Sequence, residues 1–323
     1  MFCKTKHKLL FALLLIFLLK NASANNLVHI NISDTLTADA AFYLGDTDKP
    51  VILILHGFML THNFPVVKRL AESLYDSGYT VLSPTLSLGI SHRKKTLPCE
   101  AIHTHSLEQD IKELSLWIKW LKKKTKQKIV LIGHSAGSPF LAYYLMHHID
   151  NTIQQVIFIT MPDIGSTHKN SLVNIKKAQQ LLQENPNSID EFEISYCKKY
   201  PSLPQNYLSY SQLTKKNINT YLKNITIKQS LILGTQDNII DHKWNRKLAQ
   251  YDIDITTING ADHFFDGEYE FDLMDTIETI LSHPNANKKP AKDTEKKPDP
   301  TTAPIKVSSK HLSIKSPEEQ NEL

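Results

Sequence analysis

Residues 133–137 read Gly-His-Ser-Ala-Gly, directly after the apolar run Ile129-Val130-Leu131-Ile132 and directly before Pro139-Phe140-Leu141-Ala142. A serine on a sharp turn between a strand and a helix has its hydroxyl exposed, and the N–H groups of the following helix favour the negative charge that develops in acyl transfer. Side chains at 133 and 137 would collide with neighbouring backbone in such a turn, which accounts for the two glycines. Without chemistry, the same five residues would be a small-residue turn serving packing alone. The strand before and the helix after favour the reactive reading of Ser135.

A serine hydroxyl needs a base, and the base needs an acid to orient it. This turn predicts the chain order serine, acid, histidine. Downstream, Leu231-Ile232-Leu233-Gly234-Thr235-Gln236-Asp237 puts Asp237 just past a strand end, and Gly260-Ala261-Asp262-His263 puts His263 just past the next one. Both fall at the carboxyl ends of strands, where open α/β sheets carry their sites. Asp163, in Met161-Pro162-Asp163 after the strand Val156–Ile159, is the alternative acid. Leu55-His56-Gly57-Phe58 ends another apolar strand, so the backbone N–H groups of Phe58 and Ala136 are the expected oxyanion donors, with His56 bracing the loop.

The elements that must hold these residues follow from periodicity. Val28–Ile32 alternates as an edge strand, and Ala40–Leu44 is placed to pair with it. Val51–Leu55 is solidly apolar, as parallel strands buried on both faces are. Val66, Val67, Leu70 and Leu74 recur at helical spacing up to Gly78, and Tyr79–Leu82 is the next strand. Ser106 with Gln109 forms a capping-box pattern opening a long helix whose inner stripe is Ile111, Leu114, Ile118 and Leu121. Strands at Ile129–Ile132, Val156–Ile159, Leu231–Leu233 and Ile253–Ile258, and a closing helix marked by Leu273, Ile277 and Ile280, complete the alternation. Alternating strands and helices imply a mostly parallel, doubly wound α/β sheet. Between 163 and 228 the alternation stops. Pro186, Pro201, Pro204 and several tyrosines punctuate a polar stretch that reads as an inserted helical cap, leaving 25–162 and 229–283 as the core.

Both ends differ from the middle. Lys4, Lys6 and Lys8 precede the apolar run Leu9–Leu19 and the site Ala22-Ser23-Ala24, which reads as a signal peptide over 1–24 with cleavage after Ala24. The run is short for a membrane span, and an uncleaved anchor is the alternative. The chain is then exported, to a periplasm or the exterior. Removing the four lysines of 1–24 leaves 33 bases against 33 acids, a balance that argues against nucleic acid as a partner. The remaining cysteines, Cys99 and Cys197, can pair in an oxidising compartment or stay as two free thiols. Residues 284–323, rich in Lys, Pro, Thr and Glu, carry too little apolar surface to fold alone and read as a disordered tail that could contact an envelope or surface.

Taken together, the His-Gly-Phe loop, Gly-His-Ser-Ala-Gly, Gly-Thr-Gln-Asp and Ala-Asp-His-Phe-Phe resemble the α/β-hydrolase superfamily over residues 50–283, with the cap unmatched. The resemblance implies the α/β-hydrolase fold and an acyl-serine mechanism without cofactor. Ser135 would attack a carbonyl, His263 take its proton and Asp237 orient the imidazole. A small-molecule acyl substrate, ester or thioester, is expected. Amide cleavage, transfer to an alcohol, or a non-catalytic binding role on the same scaffold are the alternatives. His103-Thr104-His105 lacks further ligands for a metal site and reads as solvated or capping histidines, and the tyrosines at 196, 200, 207, 210 and 221 read as a small core of the cap.

Overall fold

The computed structural model describes residues 26–165 and 169–283. The expected signal peptide and the expected tail lie outside these residues. Eight strands form one sheet: β1 (Asn26–Asn31), β2 (Thr37–Tyr43), β3 (Val51–Leu55), β4 (Thr80–Thr85), β5 (Ile129–His134), β6 (Ile153–Ile159), β9 (Lys228–Gly234) and β10 (Ile253–Ile258), in the order β1-β2-β4-β3-β5-β6-β9-β10. β1 pairs antiparallel with β2, and β2 antiparallel with β4. From β4 to β10 every pairing is parallel. The reversal of winding direction around β3 and β4 is the doubly wound order expected from the alternation.

Alternate residues of the central strands feed two cores, one on each face. Val51, Leu53, Leu55, Ile129 and Leu131 join α2 (Leu107–Lys124) and α3 (Gly137–His147) on one face. Ile52, Ile54, Val130 and Ile132 join α1 (Pro65–Asp76) and α8 (Tyr269–Ser282) on the other. Ser106 caps α2 as its spacing with Gln109 predicts, each side chain bonding the other's backbone N–H. The stripe of α2 is wider than the apolar pattern indicates. Asp110 and Glu113 are buried with it.

Residues 163–228 carry the helices expected of an inserted cap and, among them, a strand pair that the sequence reading lacks. Helix α4 (Ser171–Glu184) is followed by an antiparallel pair, β7 (Asp190–Ile194) and β8 (Cys197–Ser202), then by α5 (Pro204–Ser211) and α6 (Lys215–Asn224). The pair turns at Ser195, whose φ of 51° is the left-handed value that glycine or asparagine usually marks. It is stitched to the core by the N–H of His103 donating to Pro201 and by a bridge between His103 and Ser202. A disulfide joins Cys99 to Cys197, with Cα atoms 5.3 Å apart. Tyr200, Tyr207, Tyr210 and Tyr221 are buried in the same core as α2 and α3, not in a separate core of the cap. Tyr196 alone of the five is exposed, at 56%.

His103 and His105 are also buried, against the expectation of solvated side chains. The His103 ring stacks on Tyr200 with centroids 4.0 Å apart. His105 Nδ1 lies 2.5 Å from the Tyr210 hydroxyl, which donates to Asp110. Among the described residues, no three His, Cys, Asp or Glu side chains gather as metal ligands would.

Two outcomes follow. Burial holds His56 and His134 at about 3 and His103 at about 4, so these imidazoles stay neutral in the folded chain and take up protons on unfolding. Folded values below the unfolded one give stability that is present above pH ~6.5 and lost as pH falls toward 3, at about 1.4 kcal/mol per pH unit for each fully buried ring. Glu113, raised to about 7 by burial, works the other way between about 4.5 and 7. Melting temperature should therefore fall on acidification from pH 7 to 5, and replacing Glu113 with glutamine should steepen that fall. The second outcome concerns the cross-link, which spans 98 residues. Cys197→Ser should lower stability by about 4 kcal/mol, measured by denaturant melts beside wild type with and without reductant.

Candidate active site

The site sits at the carboxyl ends of β3, β5, β9 and β10. β5 ends at His134, and Ser135 takes a φ of 54° before α3 begins. Its N–H donates to Ile159 at the end of β6, and its carbonyl accepts from Ser138. The glycines around it leave no room for a side chain. A Cβ at 133 would stand 2.6 Å from the Gly137 carbonyl carbon, and one at 137 would stand 2.4 Å from the Leu55 carbonyl oxygen. The steric reason inferred from the sequence is thus met by named atoms: the start of α3 runs directly over the end of β3.

His263 follows β10, and its Nε2 lies 2.9 Å from Ser135 Oγ. Its Nδ1 lies 2.8 Å from Asp237 Oδ2. Asp237 and His263 are buried, and Ser135 is half-buried. The acid facing the imidazole is Asp237, in the loop after β9. The alternative, Asp163, follows β6. Asp237 Oδ1 accepts from the N–H groups of Ile239 and Ile240, and its carbonyl takes a hydrogen bond from His242 Nε2. Burial alone would raise the Asp237 pKa. The hydrogen bond and charge of His263, with the two N–H groups, outweigh it and hold the carboxyl below the usual range.

His134, the variable residue before the serine, is fully buried and donates from Nε2 to the His263 carbonyl at 3.1 Å. Desolvation, then the neighbouring imidazole, lower its pKa to about 3, so it braces the histidine loop as a neutral ring. Pattern reading assigns this position no role, because its partner lies 129 residues away.

The loop after β3 lies against the serine. A Cβ on Gly57 would fall 3.2 Å from Ser135 Cβ. Among the described residues, neither the Phe58 nor the Ala136 N–H has a hydrogen-bond acceptor. The carbonyls beside them are all taken. Gly57 O accepts from His56 Nδ1 and from the Leu60 N–H. Phe58 O accepts from the Tyr196 hydroxyl, Met59 O from Leu97 and Arg93, and Leu60 O from Arg93. His56 Nε2 accepts from the Leu86 N–H, so this histidine braces the loop as its position suggests. His62 is held beside this loop, since its N–H donates to the Thr85 hydroxyl, which donates back to His62 Nδ1.

A hydroxyl, an imidazole and a carboxylate in one hydrogen-bonded line, next to two backbone N–H groups with no acceptor, can deprotonate a nucleophile and hold an oxyanion. Comparison with known proteins agrees with the architecture. A family model described as alpha/beta hydrolase fold matches residues 50–193. "Putative esterase/lipase 3" of Mycoplasma pneumoniae is 23% identical over 217 residues, covering 60% of this chain and 71% of that protein. The structure of Est1E from Butyrivibrio proteoclasticus superposes with a TM-score of 0.59 at 16% identity, over 81% of this chain and 99% of the other. A soluble variant of monoglyceride lipase from Saccharomyces cerevisiae superposes with a TM-score of 0.61 at 15% identity, over 83% and 97%. With its sheet order, its strained serine after β5 and its acid and histidine after β9 and β10, the chain has the α/β-hydrolase fold.

Proposed function

We propose that this chain is an exported serine hydrolase that cleaves a carboxylic ester or thioester of a small-molecule acyl substrate through an acyl-serine intermediate. The observation that carries the reading is the unbroken line Asp237–His263–Ser135, with contacts of 2.8 and 2.9 Å, beside the N–H groups of Phe58 and Ala136. In this mechanism His263 Nε2 takes the Ser135 proton as Oγ adds to the acyl carbonyl. Asp237 stabilises the imidazolium from Nδ1, and the two N–H groups receive the oxyanion. The imidazolium then returns its proton to the leaving alcohol or thiol. Water enters, His263 acts as base again, and the acid product leaves with Ser135 restored. The esterase and lipase names of the related proteins support ester bonds as the target. Export is supported by the Cys99–Cys197 bridge, which suits an oxidising compartment.

A series of p-nitrophenyl esters of increasing acyl length tests the reading. Wild type should turn over at least one, and Ser135→Ala should lose activity by about ten-thousandfold or more. Asp237→Asn should cost about a thousandfold or more in kcat, whereas Asp163→Asn should stay within about threefold. Equal activity in wild type and Ser135→Ala, or failure of a fluorophosphonate to label wild-type Ser135, would sink the proposal.

A further inference from the structure

Arg93 lies outside the reacting line, and among the described residues no other arginine or lysine is buried. It is 4% exposed. Its guanidinium makes four hydrogen bonds, all to backbone carbonyls: Nε to Leu86 at 2.8 Å, one terminal nitrogen to Met59 at 3.1 Å and Lys95 at 2.8 Å, the other to Leu60 at 2.6 Å. Met59 and Leu60 immediately follow Phe58, and Met59 holds a φ of 57°, a left-handed conformation that L side chains disfavour. A strained turn persists only where its surroundings over-determine it. Here the surroundings are the Arg93 bonds to the Met59 and Leu60 carbonyls, in the loop whose Gly57 lies against Ser135.

Residue type supports the same reading. The sequence uses arginine only at 69, 93 and 246, and lysine at every other basic position. A lysine ammonium is a flexible point donor, while the guanidinium is a planar fork that can meet several fixed acceptors at once. The charge has compensation within the same core. Asp110 and Glu113 of α2 both act on Arg93, against the burial that lowers its pKa to about 10. Glu113 in turn accepts from the N–H and hydroxyl of Ser87, next to Leu86. A charged platform therefore underlies the loop that presents the Phe58 donor.

We infer that Arg93 is a positioning residue for catalysis: by binding the Met59 and Leu60 carbonyls it holds the Phe58 N–H where the oxyanion forms. The inference rests on the serine-hydrolase reading above. It makes Arg93 act through Phe58 on the charge of the transition state, not on substrate in its ground state.

The test uses the full mature chain and two variants, Arg93→Lys and Arg93→Gln, with Ile277→Val as a control that loosens the opposite core. Three quantities are read: melting temperature, kcat and KM on the best p-nitrophenyl ester, and affinity for a trifluoromethyl ketone, whose adduct with Ser135 places an oxyanion in the hole. The expected result is a folded Arg93→Lys with kcat down by about tenfold to a hundredfold, KM within about threefold, and ketone affinity reduced by a similar factor. Ile277→Val should lose melting temperature and keep kcat and ketone affinity. A folded Arg93→Lys or Arg93→Gln with wild-type kcat and ketone affinity overturns the inference. So does failure of both variants to fold, which would make the residue purely structural. Wild type that reacts with neither ester, ketone nor fluorophosphonate overturns the serine-hydrolase reading itself, and is told apart because no variant is needed to see it.

Discussion

The site depends on one close crossing of backbone. The chain leaving β5 turns at Ser135 and starts α3 directly over the end of β3, with position 137 against the Leu55 and His56 carbonyls and position 133 against Gly137. Nothing larger than hydrogen fits at either place, so the crossing is available only to glycine. It places the serine next to Gly57, and therefore next to the loop that offers the Phe58 N–H. The strain stored in the serine backbone is held by the sheet itself, through the Ser135 N–H on Ile159. Strand pairing, the two cores and the reacting geometry are in this sense one arrangement.

Around that crossing, two buried imidazoles each find a backbone partner. Neutral imidazoles at 56 and 134 hydrogen-bond backbone on either side of the serine, one steadying the loop after β3 and the other the loop that carries His263. A buried polar group without a partner costs on the order of 1–3 kcal/mol, so these pairings also restrict the alternative loop conformations. The loops that bear the chemistry are thereby each tied to a fixed side chain.

Much of this was legible in the sequence, for a physical reason. The strands are apolar runs, the helices carry periodic stripes, and the Gly-x-Ser-x-Gly turn is a local steric necessity. The order of Ser135, Asp237 and His263 along the chain then follows from strands that all run the same way. What was not legible depends on partners distant in sequence. His103 and His105 look like solvent-facing residues until Tyr200 and Tyr210 arrive to stack on and bond with them. Asp110 and Glu113 interrupt an otherwise apolar stripe and would be placed outside the core by type alone, yet Tyr210 and Ser87 meet them there. The β7–β8 pair escaped because its turn is made by Ser195 instead of glycine and its second strand contains Pro201, both of which weaken the local signal.

The acceptors of Arg93 are main-chain oxygens without exception. A bond to a carbonyl does not depend on which side chain the same residue carries. Positions 60 and 95 can therefore diverge, altering the shape and polarity of the surface around Arg93, while the turn they share with it keeps its form. Divergence at 93 has no such freedom, because a single replacement removes four bonds at once. Lineages drawn from this scaffold should accordingly explore new loop chemistries around a constant guanidinium, so that variety at the rim and constancy underneath arise from the same contact.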